Sequence, residues 1–133
     1  FQAIEIIRTL KEVELSDYDL KNLNLGGYNF TTSNGEPLLN MGSVVFDGSN
    51  MSRVNLSGCN LEACSLKEVD LTGANLTGAD FTGSDLRNAN LTGANLTNSI
   101  LDNSNLEDAD LSGAVLTGAS FENANTRDTI MPK

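Results

Sequence analysis

Histidine and tryptophan are absent from the 133 residues, and aromatic side chains make up only 5% of the chain. Without imidazole there is no ordinary general base near neutral pH and no activator for a thiol or hydroxyl nucleophile, so acid–base and nucleophilic catalysis lose their usual carrier. With 39% hydrophobic residues and so few aromatics, a conventional globular core lacks bulk. Cysteine occurs twice, at Cys59 and Cys64, too few for a disulfide framework. Basic residues are scarce too: 8 Lys and Arg against 18 Asp and Glu give a net charge of −10, which repels nucleic-acid phosphates and anionic membrane surfaces. No stretch approaches the roughly 18 apolar residues of a membrane span. No segment has the basic start and apolar middle of a signal peptide. The chain therefore reads as soluble, binding neither nucleic acid nor membrane. It begins with Phe1 and is read as processed or trimmed, with any targeting peptide already removed. The cytoplasm is the favoured compartment, with the thylakoid lumen and the periplasm as alternatives.

What is present is a repeat. From Ala74 to Asn88 the chain reads ANLTG ADFTG SDLRN, and one large apolar residue returns at every fifth position from Phe46 through Leu66, Leu86 and Leu106 to Phe121. An earlier run, Leu15, Leu20, Leu25 and Phe30, has the same period. Two places before each centre of the longer run, from Met51 on, stands a small or compact residue, such as Cys59, Ala74, Ser84 or Ala94. On a 3.6-residue helix a five-residue period drifts by about 140° per unit and smears the leucines over every side. On a flat strand an odd period swaps them between faces. A corner once per unit removes the conflict, because it turns each short extended segment back to the same inward orientation. Gly48, Gly58, Gly73, Gly78, Asn88 and Asn98 stand at such corners, and these residue types tolerate positive φ. Four corners close a square of twenty residues, and squares stack at roughly 4.8 Å. The reading is an all-β, four-sided solenoid in which only neighbouring coils touch.

The units ANLTG, ADFTG and SDLRN resemble the A(D/N)LXX pattern of the pentapeptide repeat family, over about nine tenths of the chain. The resemblance implies a right-handed quadrilateral parallel β-helix, here of five to six coils and about 25 Å long. It also implies a cyanobacterial or chloroplast-type setting and a C-terminal end-to-end homodimer as the alternative to a monomer.

An open solenoid end needs a cover. Phe1, Ile4, Ile7 and Leu10 share one helical face, so residues 1–12 are expected to form a capping helix and 13–131 the repeat domain. The two runs of centres differ in phase, which places a loop insertion near 31–40, where Asn34-Gly35 and Pro37 signal a turn. Cys59 and Cys64 both fall on the inward small position and are expected to be buried, unreactive thiols.

Sorting the units modulo twenty separates four faces. The face of Leu56, Leu76, Leu96 and Leu116 carries no charge, and Ser57, Thr77, Thr97 and Thr117 stand on it as an outward hydroxyl column. The next, centred on Leu61, Phe81, Leu101 and Phe121, carries Glu62, Asp80, Asp102 and Glu122 and no base. The candidate contact residues for a protein partner are these four carboxylates together with Asn34, Gly35 and Glu36 in the insertion. No catalytic residue, cofactor or metal is expected, since a filled prism has no cleft and its polar groups diverge. The functional expectation is a non-catalytic scaffold for protein–protein interaction. The alternative implied by the family is a DNA-mimicking regulator of a type II topoisomerase. A remoter one is ice binding through the threonine column.

Overall fold

In the unit around Leu76, all five backbone N–H groups find an acceptor. Asn75 donates back to the Val54 carbonyl (2.9 Å), while Leu76 and Gly78 donate forward to the carbonyls of Asn95 (2.8 Å) and Thr97 (2.9 Å). Ala79 closes a turn on the Leu76 carbonyl (3.0 Å), and Thr77 donates to the Asn75 side-chain oxygen (3.2 Å). Gly78 has φ +68°, the value a type II turn needs at its third residue. The unit is thus one short extended segment and one turn.

The computed structural model describes residues 19–31 and 41–133. The helix expected over 1–12 lies outside them, as does the insertion near 31–40 apart from Thr31. Within the described chain the extended segments pair in parallel with those one coil above or below, and these pairs form four walls. Wall A climbs through Asp19, Val45, Ser65, Asp85, Asn105 and Asn125, and wall B through Asn24, Asn50, Asp70, Asn90, Asp110 and Ile130. Wall C runs through Asn29, Asn55, Asn75, Asn95 and Val115, and wall D through Asn60, Asp80, Ile100 and Ser120. Successive rungs are twenty residues apart from Val45 onward. The first rungs differ: Asp19, Asn24 and Asn29 each pair with a residue twenty-six positions on. The phase change between the two runs of centres therefore corresponds to six more residues in that coil than in the later ones.

The leucines point inward. Phe46, Leu66, Leu86 and Leu106 stack behind wall A, and Leu56, Leu76 and Leu96 behind wall C, all at 0% exposure. Each such side chain contributes roughly 1.5–3 kcal/mol on burial, and the alanines and serines two places earlier fill the remaining space. Towards the first coils that second position enlarges to Leu23 and Tyr28, and the Tyr28 ring meets Phe30 edge-on at 4.7 Å. At the far end Leu116 and Phe121 are only half-buried.

Corners are more permissive than their glycines and asparagines suggest. Arg53, Ala63, Glu68 and Asp108 also hold φ between 56° and 61°, a conformation that costs an L-residue roughly 1–2 kcal/mol. Ladder bonds above and below enforce it: Ala63 N–H reaches the Thr82 carbonyl at 2.9 Å. Both thiols are buried and unpaired with each other. The Cys64 thiol donates to the Met41 carbonyl at 2.8 Å, and burial pushes both thiols up to about 12. They stay protonated at neutral pH and are poor nucleophiles.

Candidate interaction surface

The fifth N–H of each unit, that of the residue after the centre, has no backbone acceptor in the stack. An Asn or Asp just before the centre supplies one from its side chain. Asn95 serves Thr97 (3.1 Å), Asp80 serves Thr82 (2.9 Å), Asp70 serves Thr72 (3.0 Å) and Asp110 serves Ser112 (2.9 Å). Several of these oxygens also take the following hydroxyl, as in Thr97 to Asn95 and Ser112 to Asp110. The preference for D or N in the motif is therefore a backbone requirement, met by an Asx turn.

Where serine replaces that residue, the side chain is too short, and the acceptor comes from the previous coil. Asp47 takes the Ser65 hydroxyl (2.6 Å) and the Lys67 N–H (3.0 Å). Asp102 takes the Ser120 hydroxyl and the Glu122 N–H (3.0 Å). Sequence reading missed this pairing. Its signal is an Asp just after one centre and a Ser just before the centre of the next coil, eighteen residues later.

These contacts sort the carboxylates of wall D. Asp80 and Asp102 each commit one oxygen to the backbone and are half-buried. Glu62 and Glu122 are exposed, and no turn in the described structure depends on their carboxylates. Glu62, Thr82, Asp102 and Glu122 share one column after the centres, whereas Asp80 stands in the column before them. Asp102 and Glu122 are adjacent rungs, about 4.8 Å apart. Asn34, Gly35 and Glu36 lie outside the described residues.

Wall A distributes charge differently. Lys67 pairs with Asp47 (3.9 Å) and Arg87 with Asp85 (2.6 Å), and the Arg87 guanidinium holds the Asp85 carboxyl below its ordinary range. On wall B, hydrogen bonds from Ser112 lower the Asp110 carboxyl. Wall C is neutral along its whole described height. Ile100, Val115 and Ile130 point outward where most units carry Asn or Asp, and all three lie in the last coils. A shallow recess beside Ile130 is lined by Ser112, Ala114, Met131 and Pro132.

Four parallel ladders joined by one turn per five residues define a quadrilateral β-solenoid. The chain belongs to the pentapeptide repeat family: the model for pentapeptide repeats matches residues 49–88 and 89–125 in eight copies. The fold of that family is the right-handed quadrilateral β-helix. Among solved structures the chain is similar to the pentapeptide repeat protein Rfr23 of the cyanobacterium Cyanothece 51142, with 23% identity, a TM-score of 0.50, and coverage of 98% of this chain and 97% of that one. It is also similar to a pentapeptide repeat protein of the Arabidopsis thaliana thylakoid lumen, with 25% identity, coverage of 80% and 63%, and a TM-score of 0.42. A third, from Nostoc PCC 7120, is 33% identical over 63% of this chain and 74% of its own, with a TM-score of 0.42. No curated protein matches the chain. Among the described residues no helix is long and apolar enough to cross a membrane.

Proposed function

We propose that this chain is a non-catalytic recognition rod that binds a basic surface of a protein partner through wall D. The observation that supports it most is the column holding Glu62, Asp102 and Glu122, on a wall whose described residues include no base. Asp47 and Asp85 of wall A, by contrast, pair with Lys67 and Arg87. Asp80 and Asp102 add charge through their second oxygen while the first holds a turn, and the proposal includes Asn34, Gly35 and Glu36 as further contact residues. The filled interior and the divergence of polar side chains along four walls support a role without catalysis.

The double variant Glu62→Lys/Glu122→Lys tests the reading without touching any turn. A protein recovered by affinity purification with the wild type, identified by mass spectrometry, should be lost with the variant. Equal recovery by both would remove wall D from the interaction. A supercoiling assay with a type II topoisomerase separates the DNA-mimic alternative, for which the net charge of −10 is the motive. Inhibition at micromolar concentration favours mimicry, and none at high concentration disposes of it.

A further inference from the structure

One outward position of wall D departs from the pattern that the rest of the wall follows. Asn60 accepts the Glu62 N–H (2.9 Å), Asp80 the Thr82 N–H (2.9 Å) and Asp102 the Glu122 N–H (3.0 Å), so each N–H after a centre meets an outward side chain at the wall's surface. The Asp102 N–H is the exception. Ile100 stands where the acceptor is needed and carries no side-chain oxygen, while Thr82, one rung below Asp102, turns its hydroxyl to Asp80 (2.5 Å). Among the described residues this N–H has no acceptor. Ile100 itself is 37% exposed, although rungs lie directly below it at Asp80 and above it at Ser120. An apolar side chain and a bare backbone donor thus stand side by side. Two carboxylates flank them: Asp80 is one rung below Ile100, at about 4.8 Å, and Asp102 is two residues along the same segment. One oxygen of each is already fixed, Asp80 by Thr82 and Asp102 by Ser120 and the Glu122 N–H. The second oxygen of each takes no hydrogen bond among the described residues.

From this geometry, and resting on the reading of wall D as a protein-binding face, we infer that Ile100, Asp80 and Asp102 form the anchor of that face and take an arginine of the partner protein. The aliphatic stem of the arginine covers Ile100, its guanidinium donates to the free oxygens of Asp80 and Asp102, and a main-chain carbonyl of the same segment accepts the Asp102 N–H. Lysine fits less well. A guanidinium presents a flat fork of N–H groups that two carboxylates on different residues can share, whereas a compact ammonium reaches one of them and holds its hydration more strongly. Wall A satisfies the same chemistry from within the chain: Arg87 donates from Nε to Asp85 Oδ1 (3.0 Å) and from Nη2 to Oδ2 (2.6 Å). The described residues of wall D include no base to do this for Asp80 and Asp102.

The probe is N-acetyl-arginine N-methylamide, with its lysine and citrulline counterparts, titrated into the 15N-labelled chain. Arginine should shift the Asp102 amide resonance and bind about fivefold more tightly than lysine, the factor that one net hydrogen bond gives, and uncharged citrulline should bind more weakly than either. Ile100→Asn keeps every carboxylate and gives the Asp102 N–H the side-chain acceptor that Asn60 gives Glu62, so the fold is retained while the preference for arginine should disappear. Equal binding of arginine and lysine to the wild type overturns the inference. So does an Asp102 resonance that stays unmoved, or a preference that persists in Ile100→Asn. A partner recovered by affinity purification with the wild type and lost with Ile100→Asn supports the anchor. A partner that binds the Ile100→Asn chain but not the Glu62→Lys/Glu122→Lys chain leaves the wall D reading standing and removes only the anchor, and equal recovery by all three chains removes both.

Discussion

The side-chain oxygen of Asn98 occupies the space in which a Cβ on Gly118 would lie, one coil further along the corner between walls C and D. Gly118 therefore answers two demands, a φ of +71° and the room its neighbour takes. Gly83, at φ +67°, has nothing within 4 Å of that position.

The two glycines should separate in a stability measurement. Gly83→Ala should cost about 1 kcal/mol, the strain of alanine at positive φ. Gly118→Ala should cost about 1 kcal/mol more, because the Asn98 amide must turn away. In urea unfolding the excess should vanish when Gly118→Ala is made in an Asn98→Ala background. An equal effect of both single variants would show that Asn98 yields freely.

Asp102 has a structural task that its charge obscures. Asp102→Asn keeps an oxygen for Ser120 and the Glu122 N–H and should leave the urea midpoint almost unchanged. Asp102→Ala removes the acceptor and should cost about 1 kcal/mol. If the asparagine variant is as destabilised as the alanine one, the carboxylate acts through charge and the inter-coil bond is not what matters.

Ser84 offers the opposite case. Ser99 and Ser104 donate to the carbonyls of Leu96 (2.8 Å) and Leu101 (2.6 Å), whereas the buried Ser84 hydroxyl has no partner. Ser84→Ala should raise stability by up to about 1 kcal/mol, since an unsatisfied hydroxyl is removed and no bond is lost. A clear loss of stability would show that the hydroxyl finds an acceptor in solution.

Acid should loosen the rod. Asp85 and Asp110 have carboxyls held below the ordinary value, by Arg87 and by the Ser112 bonds respectively. A lowered folded value means that the unfolded chain takes up protons first. Their stabilisation is therefore complete above the unfolded carboxylate value, about 3.9, and is lost as pH falls through the lower folded one. The urea midpoint should drop over that interval, and Asp110→Asn, which keeps the Asx acceptor, should flatten part of the drop. A pH-independent midpoint between 5 and 2 would contradict this assignment.

Much of the acidity follows from the fold. Asp70, Asp80, Asp85 and Asp110 each accept the N–H that the ladders leave over. A net charge of −10 is thus less informative about partners than it looks in composition. Glu62 and Glu122 lie outside that requirement, which is why they and not Asp80 carry the partner hypothesis.

The five-residue period alone determined that leucines face inward, that the chain turns once per unit and that four units close a coil. Those properties are local: they depend on which side each residue points and where φ turns positive, and both repeat along the chain. The stacked structure decided the rest. That Asp47 and Asp102 serve the next coil, that Asn98 needs a glycine at position 118, and that Asp19, Asn24 and Asn29 pair with residues twenty-six positions on are contacts between residues far apart in sequence. Their partners are set only when one square settles on another at a fixed height and register, which no single pentapeptide specifies.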